Sequence, residues 1–280
     1  MDTMTVGTIS GGSIDEFQRY LSGTGKATNT IRSYSSDLRG WLEWMRSESE
    51  MSNAPQTPLA EAASSWMTWS RARGAAPKTI ARRVTSLRAF GRWLGYPLLV
   101  DYSPPPTPPG TPKPLPGGMD AVNKLLSVAV GDDERCMIAL CGFSGLRISE
   151  ARSVTPASIY LDGDLHWVTV TGKGHKRRQV PIPPSAWERI GPVLDRRGKH
   201  EPLVRLTDSQ ARKAWATCSR QAGLGASSTH QGRATAATEL LEATGNLRLV
   251  QEVLGHSSVS TTQVYTHVRR STIAAAMSAL

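Results

Sequence analysis

Cysteine is scarce in this chain, with three residues among 280: Cys136, Cys141 and Cys218. They form no Cys-x-x-Cys pair and none has a His at zinc-ligand spacing, which excludes a disulfide framework and a structural zinc site. They read as small buried apolar residues of a reduced protein. Long apolar runs are missing too, and nothing approaches the roughly twenty residues needed to span a bilayer. Met1 to Gly12 is polar, so the sequence predicts no secretory leader and a cytoplasmic location. There is no Gly-x-x-x-x-Gly-Lys-Ser/Thr loop for a nucleotide and no carboxylate cluster suited to Mg²⁺, so no cofactor, metal or nucleotide is expected. Internal repeats at solenoid periods are also lacking.

What is present is positive charge. The net charge is +10, and arginine outnumbers lysine 25 to 8. Residues 1–103 carry 12 Lys and Arg against 9 Asp and Glu, and residues 119–280 carry 20 against 14. Both halves are therefore basic, as expected if both touch one polyanion such as a DNA duplex. Charge alone leaves RNA and an anionic membrane surface open.

One boundary is plain. Ser103 to Gly118 holds eight of the eighteen prolines, which suits an extended interdomain spacer and no helix or central strand. It divides the chain into an expected helical domain over 1–102 and a second domain over 119–280. In the first, Ser13 with Glu16 resembles a capping box, and a second helix starts near Thr28 with Ile31, Tyr34, Leu38, Leu42 and Met45 on one face. Thr57-Pro58 opens a third helix. A fourth begins at Pro77, with Ile80, Val84, Leu87 and Leu94 as its stripe. Its other faces carry Lys78, Arg82, Arg83, Arg88 and Arg92, and no acidic residue occurs between Ala62 and Val100. A solvated face usually mixes signs, so this one points to phosphate contact.

Beyond the spacer the pattern predicts helices over 119–129 and 132–142. A short antiparallel β-region follows, with Ser158–Leu161, Leu165–Val170 and Arg178–Ile182. Helices interrupted at Gly191, Gly223, Gly245 and Gly255 complete it. The fold class is mainly α with one small antiparallel sheet.

Taken singly, the candidate chemical residues are ambiguous. Arg147, after Gly145-Leu146, reads equally as a helix-start arginine paired with Glu150. Lys173, in Gly172-Lys173-Gly174, with Lys176 and Arg177 beside it, sits at a hairpin tip, a common place for charge. His230 and Arg233 lie three apart at a helix start and share a face. His256 follows Leu254-Gly255, and Tyr265 comes nine residues later, where it could simply anchor a short helix.

In order and spacing, however, these segments resemble the tyrosine recombinase family of the phage-integrase type. That resemblance covers residues 119–280, and residues 9–100 resemble the family's helical core-binding (SAM-like) domain. It implies Tyr265 as the nucleophile that joins the DNA 3′-phosphate, Arg147 and Arg233 as phosphate ligands, Lys173 as general acid, and His230 and His256 as supporting groups, with Glu150 beside Arg147. It also implies double-stranded DNA with inverted half-sites as substrate and a cyclic homotetramer on synapsed DNA. In that assembly the apolar tail after Arg270 docks on a neighbour. The family usually has a bulky apolar residue just before the second arginine and often His or Arg just after it. Gly232 and Ala234 depart from this, so helix packing there is expected to differ.

The residue types suit such a reaction. Each guanidinium stays charged and bridges two phosphate oxygens, stabilising a pentavalent phosphorane with fixed cations. A phenol with pKa about 10 needs cationic surroundings or a base such as His230, and the departing 5′-hydroxyl needs a proton. The phosphotyrosine ester keeps the bond energy, so rejoining needs no ATP. Within the family, a phage integrase, a Xer-like resolvase and a transposon recombinase share these residues. The short N-terminal region, without space for an arm-binding module, and the proline-rich spacer favour an arm-less phage integrase. A type IB topoisomerase would share Arg, Lys and Tyr but relax DNA without site preference. A silent DNA-binding regulator would have lost signature residues, and none is lost.

Overall fold

The computed structural model describes residues 9–52, 58–96, 113–172 and 177–255. The chain forms two compact units, Met1–Pro108 and Pro109–Leu280.

The first unit contains four described helices: α1 (Gly11–Gly23), α2 (Thr28–Ser52), α3 (Leu59–Ala72) and α4 (Pro77–Trp93). Helix α1 starts earlier than the Ser13–Glu16 pattern indicated. Ser10 is the N-cap, its Oγ accepts the Ser13 N–H, and Ser13 is the third residue of the helix. Ser13 and Ser10 bond reciprocally, which leaves no capping role for Glu16. Pro77 occupies the first turn of α4, where a fixed φ costs nothing and the missing N–H has no helical partner. The apolar stripes converge on one core. Phe17, Leu38, Trp41, Leu59, Leu87 and Phe90 are essentially fully buried, and Phe17 meets Phe90 edge-on with centroids 5.3 Å apart. Leu94 lies past the end of α4 as its C-cap and is only half-buried.

The second unit is built around α6 (Asp132–Gly142), in which every residue from Cys136 to Gly142 is buried. A helix apolar on all sides belongs at the centre of a domain. Helices α5 (Gly118–Val128), α8 (Pro184–Leu194), α9 (Asp208–Gln221) and α10 (Thr229–Thr244) pack against it. Asp132, Asp133 and Glu134 fill its first turn, where carboxylates favour the positive end of the helix dipole. Short helix α7 (Ile148–Ala151) follows, and α11 (Leu247–Leu254) ends the described chain. Strands β1 (Ile159–Asp162), β2 (Leu165–Thr171) and β3 (Arg177–Ile182) form an antiparallel sheet in the order β1-β2-β3. Val168, Val170, Val180 and Ile182 point to the core at a period of two. Val168 sits opposite Val180, which sets the register of the β2–β3 hairpin.

Two details differ from the sequence reading. Gly191 does not break a helix but lies inside α8, where a Cβ would stand 3.3 Å from the Trp187 ring. Burial of Ala186, Ile190 and Val193 along that helix outweighs the roughly 1 kcal/mol that a mid-helix glycine costs. Leu115, from the proline-rich stretch, is buried in the second unit's core, and its N–H donates to Thr235 Oγ1 at 2.9 Å. Among the described residues no helix is long and apolar enough to cross a membrane.

Candidate active site

The centre of the site is a carboxylate. Glu150 on α7 is 2% exposed and is reached by three arginines. Arg147 caps α7 from its N-terminus: its backbone N–H donates to Glu150 Oε2 at 2.8 Å and its Nη1 to Oε1 at 2.9 Å. Arg178, from β3, donates Nη1 to Oε1 at 2.7 Å and Nη2 to Oε2 at 2.9 Å. Arg233, from α10, places Nη1 3.7 Å from Oε2. Burial by itself would raise the Glu150 carboxyl, but hydrogen bonds from Arg178 and the Arg147 N–H, with the charges of both arginines, overcome it and hold the pKa at about 2. Glu150 is thus an anion throughout the physiological range, buried because it is paired.

Arg233 is 1% exposed and spans two elements. Its Nη1 donates to the Gly145 carbonyl at 2.6 Å and its Nη2 to the Leu254 carbonyl at 2.7 Å. Gly145 adopts φ +65, and a Cβ there would stand 2.9 Å from Leu254 Cδ2, so glycine is required both for the turn and for the close approach of α11. His230 is on the first turn of α10 and is exposed, one turn before the buried Arg233. The helix start is fixed by Ser228, whose N–H donates to Gln231 Oε1 at 3.0 Å.

Gly232 has a tertiary explanation. A Cβ at that position would lie 2.4 Å from Trp215 Cη2 and 2.9 Å from Cζ2. The fully buried indole of α9 fills the space that a side chain before Arg233 would take. Trp215 Nε1 donates to Ser227 Oγ at 3.0 Å, and Ser227 in turn donates to Ser219 Oγ at 2.7 Å, which anchors the ring. The departure at Gly232 is therefore paired with a large residue across the helix interface.

The structure brings Arg147, Glu150 and Arg233 together. Lys173 and Lys176 at the β2–β3 turn, and His256 and Tyr265 after α11, lie outside the described residues. The last described positions next to them are Gly172, Arg177 and Gly255, and Arg177 is exposed at the start of β3. Arg178 was not among the sequence candidates. It stands in a run of three basic residues, and neither type nor spacing distinguishes it from its neighbours.

In the first unit, Lys78, Arg82, Arg88 and Arg92 are exposed along α4. Arg83 turns inward instead: Nη1 donates to Ser70 Oγ, and the guanidinium lies 4.7 Å from the Trp66 ring centroid. Beneath them Asp37 is 5% exposed, ion-paired to Arg82 at 3.0 Å and hydrogen-bonded by Ser86 at 2.9 Å. Burial raises the Asp37 carboxyl despite that hydrogen bond and the charges of Arg82 and Arg83.

Three arginines around one buried carboxylate, at the junction of a helix start, a strand and a helix end, form a cationic cluster whose chemistry suits a tetrahedral oxyanion. Residues 119–272 match the family described as the Phage integrase family, and residues 14–95 match the Phage integrase N-terminal SAM-like domain. Among curated proteins, the chain is 34% identical over 278 residues to the tyrosine recombinase XerC of Neisseria meningitidis serogroup C (strain 053442), covering 89% of this chain and 90% of that one. It is 33% identical over 269 residues to the tyrosine recombinase XerA of Thermococcus kodakarensis, covering 91% and 90%. Among solved structures, the XerH site-specific recombinase in a post-cleavage complex with palindromic difH substrate shares the fold with TM-score 0.72 at 18% identity, covering 96% of this chain and 84% of that one. This chain belongs to the phage integrase family and is a tyrosine recombinase.

Proposed function

We propose that this protein cleaves and rejoins double-stranded DNA at short core sites, with Tyr265 as the nucleophile. The observation that carries the reading is the convergence of Arg147 and Arg233 on Glu150, which are 86 positions apart in sequence at their extremes and come from separate elements. Two guanidinia held by one buried anion can take the non-bridging oxygens of a scissile phosphate and stabilise the charge that builds in the phosphorane. The same cations would favour the phenolate of Tyr265, with His230 as the base. Lys173 protonates the departing 5′-hydroxyl, and His256 donates a hydrogen bond to the phosphate. Lys78, Arg82, Arg88 and Arg92 on α4, with Lys176 and Arg177 at the hairpin, contact backbone phosphates on either side of the cut.

Supporting the DNA substrate are the chain's net charge of +10 and a shared fold with XerH bound to difH and with the Tn1549 transposon integrase in complex with DNA. Four protomers on two paired sites, with the tail after Arg270 docked on a neighbour, would supply the four cuts of a complete exchange. The biological role within this reading is phage integration and excision. A second reading, resolution of chromosome dimers, is favoured by the Xer names of the curated relatives, whose lengths this chain covers by about nine-tenths.

The test is covalent trapping. Wild-type protein incubated with a nicked core-site duplex should yield a protein–DNA adduct that survives denaturing electrophoresis. Tyr265→Phe should yield none while retaining site binding, since it removes one oxygen. An adduct from the Phe variant would identify another nucleophile and refute the assignment. Integration of a plasmid carrying the core site into a marked host chromosome, scored against resolution of a directly repeated pair of sites, separates the two roles.

A further inference from the structure

Glu150 poses a problem for a phosphate clamp. A buried carboxylate within 4 Å of both clamp arginines competes with the very phosphate they are to bind. The third arginine resolves it. Arg178 reaches both Glu150 oxygens in the two-pronged geometry that makes the strongest such contacts, at 2.7 and 2.9 Å. Of its guanidinium nitrogens Arg147 gives only Nη1 to the carboxylate, at 2.9 Å, beside its backbone N–H, and its side chain stays 37% exposed, while Arg233 stands back at 3.7 Å. Three guanidinia against one carboxylate leave the cluster at +2; without Arg178 the figure is +1, and the buried anion must draw its missing hydrogen bonds from the two clamp arginines.

Arg178 does a second thing with the same side chain. Its Nε donates to the Val253 carbonyl at 3.2 Å, at the C-terminal end of α11. Its guanidinium lies against Gly255, where a Cβ would come within 2.6 Å of Arg178 Cδ and 2.7 Å of Nε. One residue of β3 therefore joins the α7 carboxylate to the last turn of α11 and to Gly255, the residue before His256. With Nη1, Nη2 and Nε each donating to an acceptor of the protein itself, Arg178 is placed to act through its neighbours and not on substrate.

We propose that Arg178 is a positioning residue for the Arg147–Arg233 clamp: it occupies both oxygens of Glu150 and ties the end of α11 to them, so that the carboxylate orients the clamp without capturing it. This rests on the recombinase reading given above. A lysine cannot replace it, because one ammonium does not span two oxygens and a carbonyl in fixed directions.

The test is a charge-compensation cycle, Arg178→Gln, Glu150→Gln and the double variant. Cleavage is followed as covalent adduct on a nicked duplex whose core site is mapped from DNA trapped on the wild-type protein. DNA concentration is varied so that the saturated rate and the half-saturating concentration separate. Arg178→Gln should slow the saturated rate about tenfold or more, with half-saturation within about threefold of wild type, because the lost term acts on the phosphorane. Adding Glu150→Gln restores the +2 balance, and the double variant should cleave at least about fivefold faster than Arg178→Gln alone. A merely structural role would make the double variant equal or worse, and that result overturns the proposal, as does a wild-type rate for Arg178→Gln. If Arg178→Gln does not fold, Arg178→Lys is compared with and without Glu150→Gln, and lack of recovery there overturns the proposal equally. Absence of any adduct from the wild-type protein would instead refute the recombinase reading, and the positioning role would fall with it.

Discussion

Replacing Gly232 with alanine sets two physical effects of opposite sign against each other. Gly232 is inside α10, where helix propensity alone favours alanine by about 1 kcal/mol. Packing opposes it. The new Cβ would lie 2.4 Å from Trp215 Cη2, against an ordinary carbon–carbon separation of about 3.5–4.0 Å, so ring or helix must move by more than about 1 Å. The ring cannot yield easily, because it is fully buried and held through Nε1 to Ser227. Overpacking of this kind costs about 1–3 kcal/mol. Packing should therefore win by up to about 2 kcal/mol, and thermal unfolding of the full chain should shift down by up to about 4–8 °C, at roughly 2–4 °C per kcal/mol for a unit of this size. Arg233 is the next residue, and a displacement of about 1 Å there can cost on the order of 100-fold in cleavage. Trp215→Phe shortens the ring and leaves a void when made alone. In the Gly232→Ala background the methyl group fills that void, so the two changes should couple favourably by about 1–3 kcal/mol. Additive effects, or a single variant as stable as wild type, would refute the claim that Trp215 dictates glycine at 232.

Two further outcomes follow from the same geometry. The Glu150 carboxyl is depressed from 4.5 to about 2 in the folded chain, so its stabilisation is fully present above pH 4.5 and is lost as pH falls from there towards 2. That difference corresponds to roughly 3 kcal/mol, and Glu150→Gln should flatten the acid-unfolding curve over this range; an unchanged curve would show that another carboxylate governs it. Lys173→Ala should cleave slowly on normal DNA and recover on DNA with a 5′-phosphorothiolate at the scissile bond, since a thiolate leaves without a proton; equal slowness on both substrates would assign the acid role elsewhere, with Lys176 next in line.

Much of this protein follows from its sequence alone, for a local reason. Helix α2 begins at Thr28 and α4 at Pro77 because apolar residues recurring every three to four positions, and a proline at the first turn, act over a few residues. The three strands fall within about one residue of their expected bounds, because a period of two and flanking turns are equally local. The motif order identified the family in the same way. Where local signals compete, the reading slipped. Ser10 and Ser13 are both acceptable caps, and the reciprocal bond between them decided for Ser10. Gly191 looked like a break until the buried face of α8 overrode it. Tertiary structure alone decided the chemistry's setting. Arg178 meets Glu150 across 28 positions and Val253 across 75, and Arg233 meets Gly145 across 88. No spacing rule encodes such meetings. They exist because α6 fills the centre of the unit, α7 and α10 pack on it, and α11 packs on α10 and β3, which carries one buried carboxylate, already paired with its neighbour Arg147, to the place where two distant arginines converge.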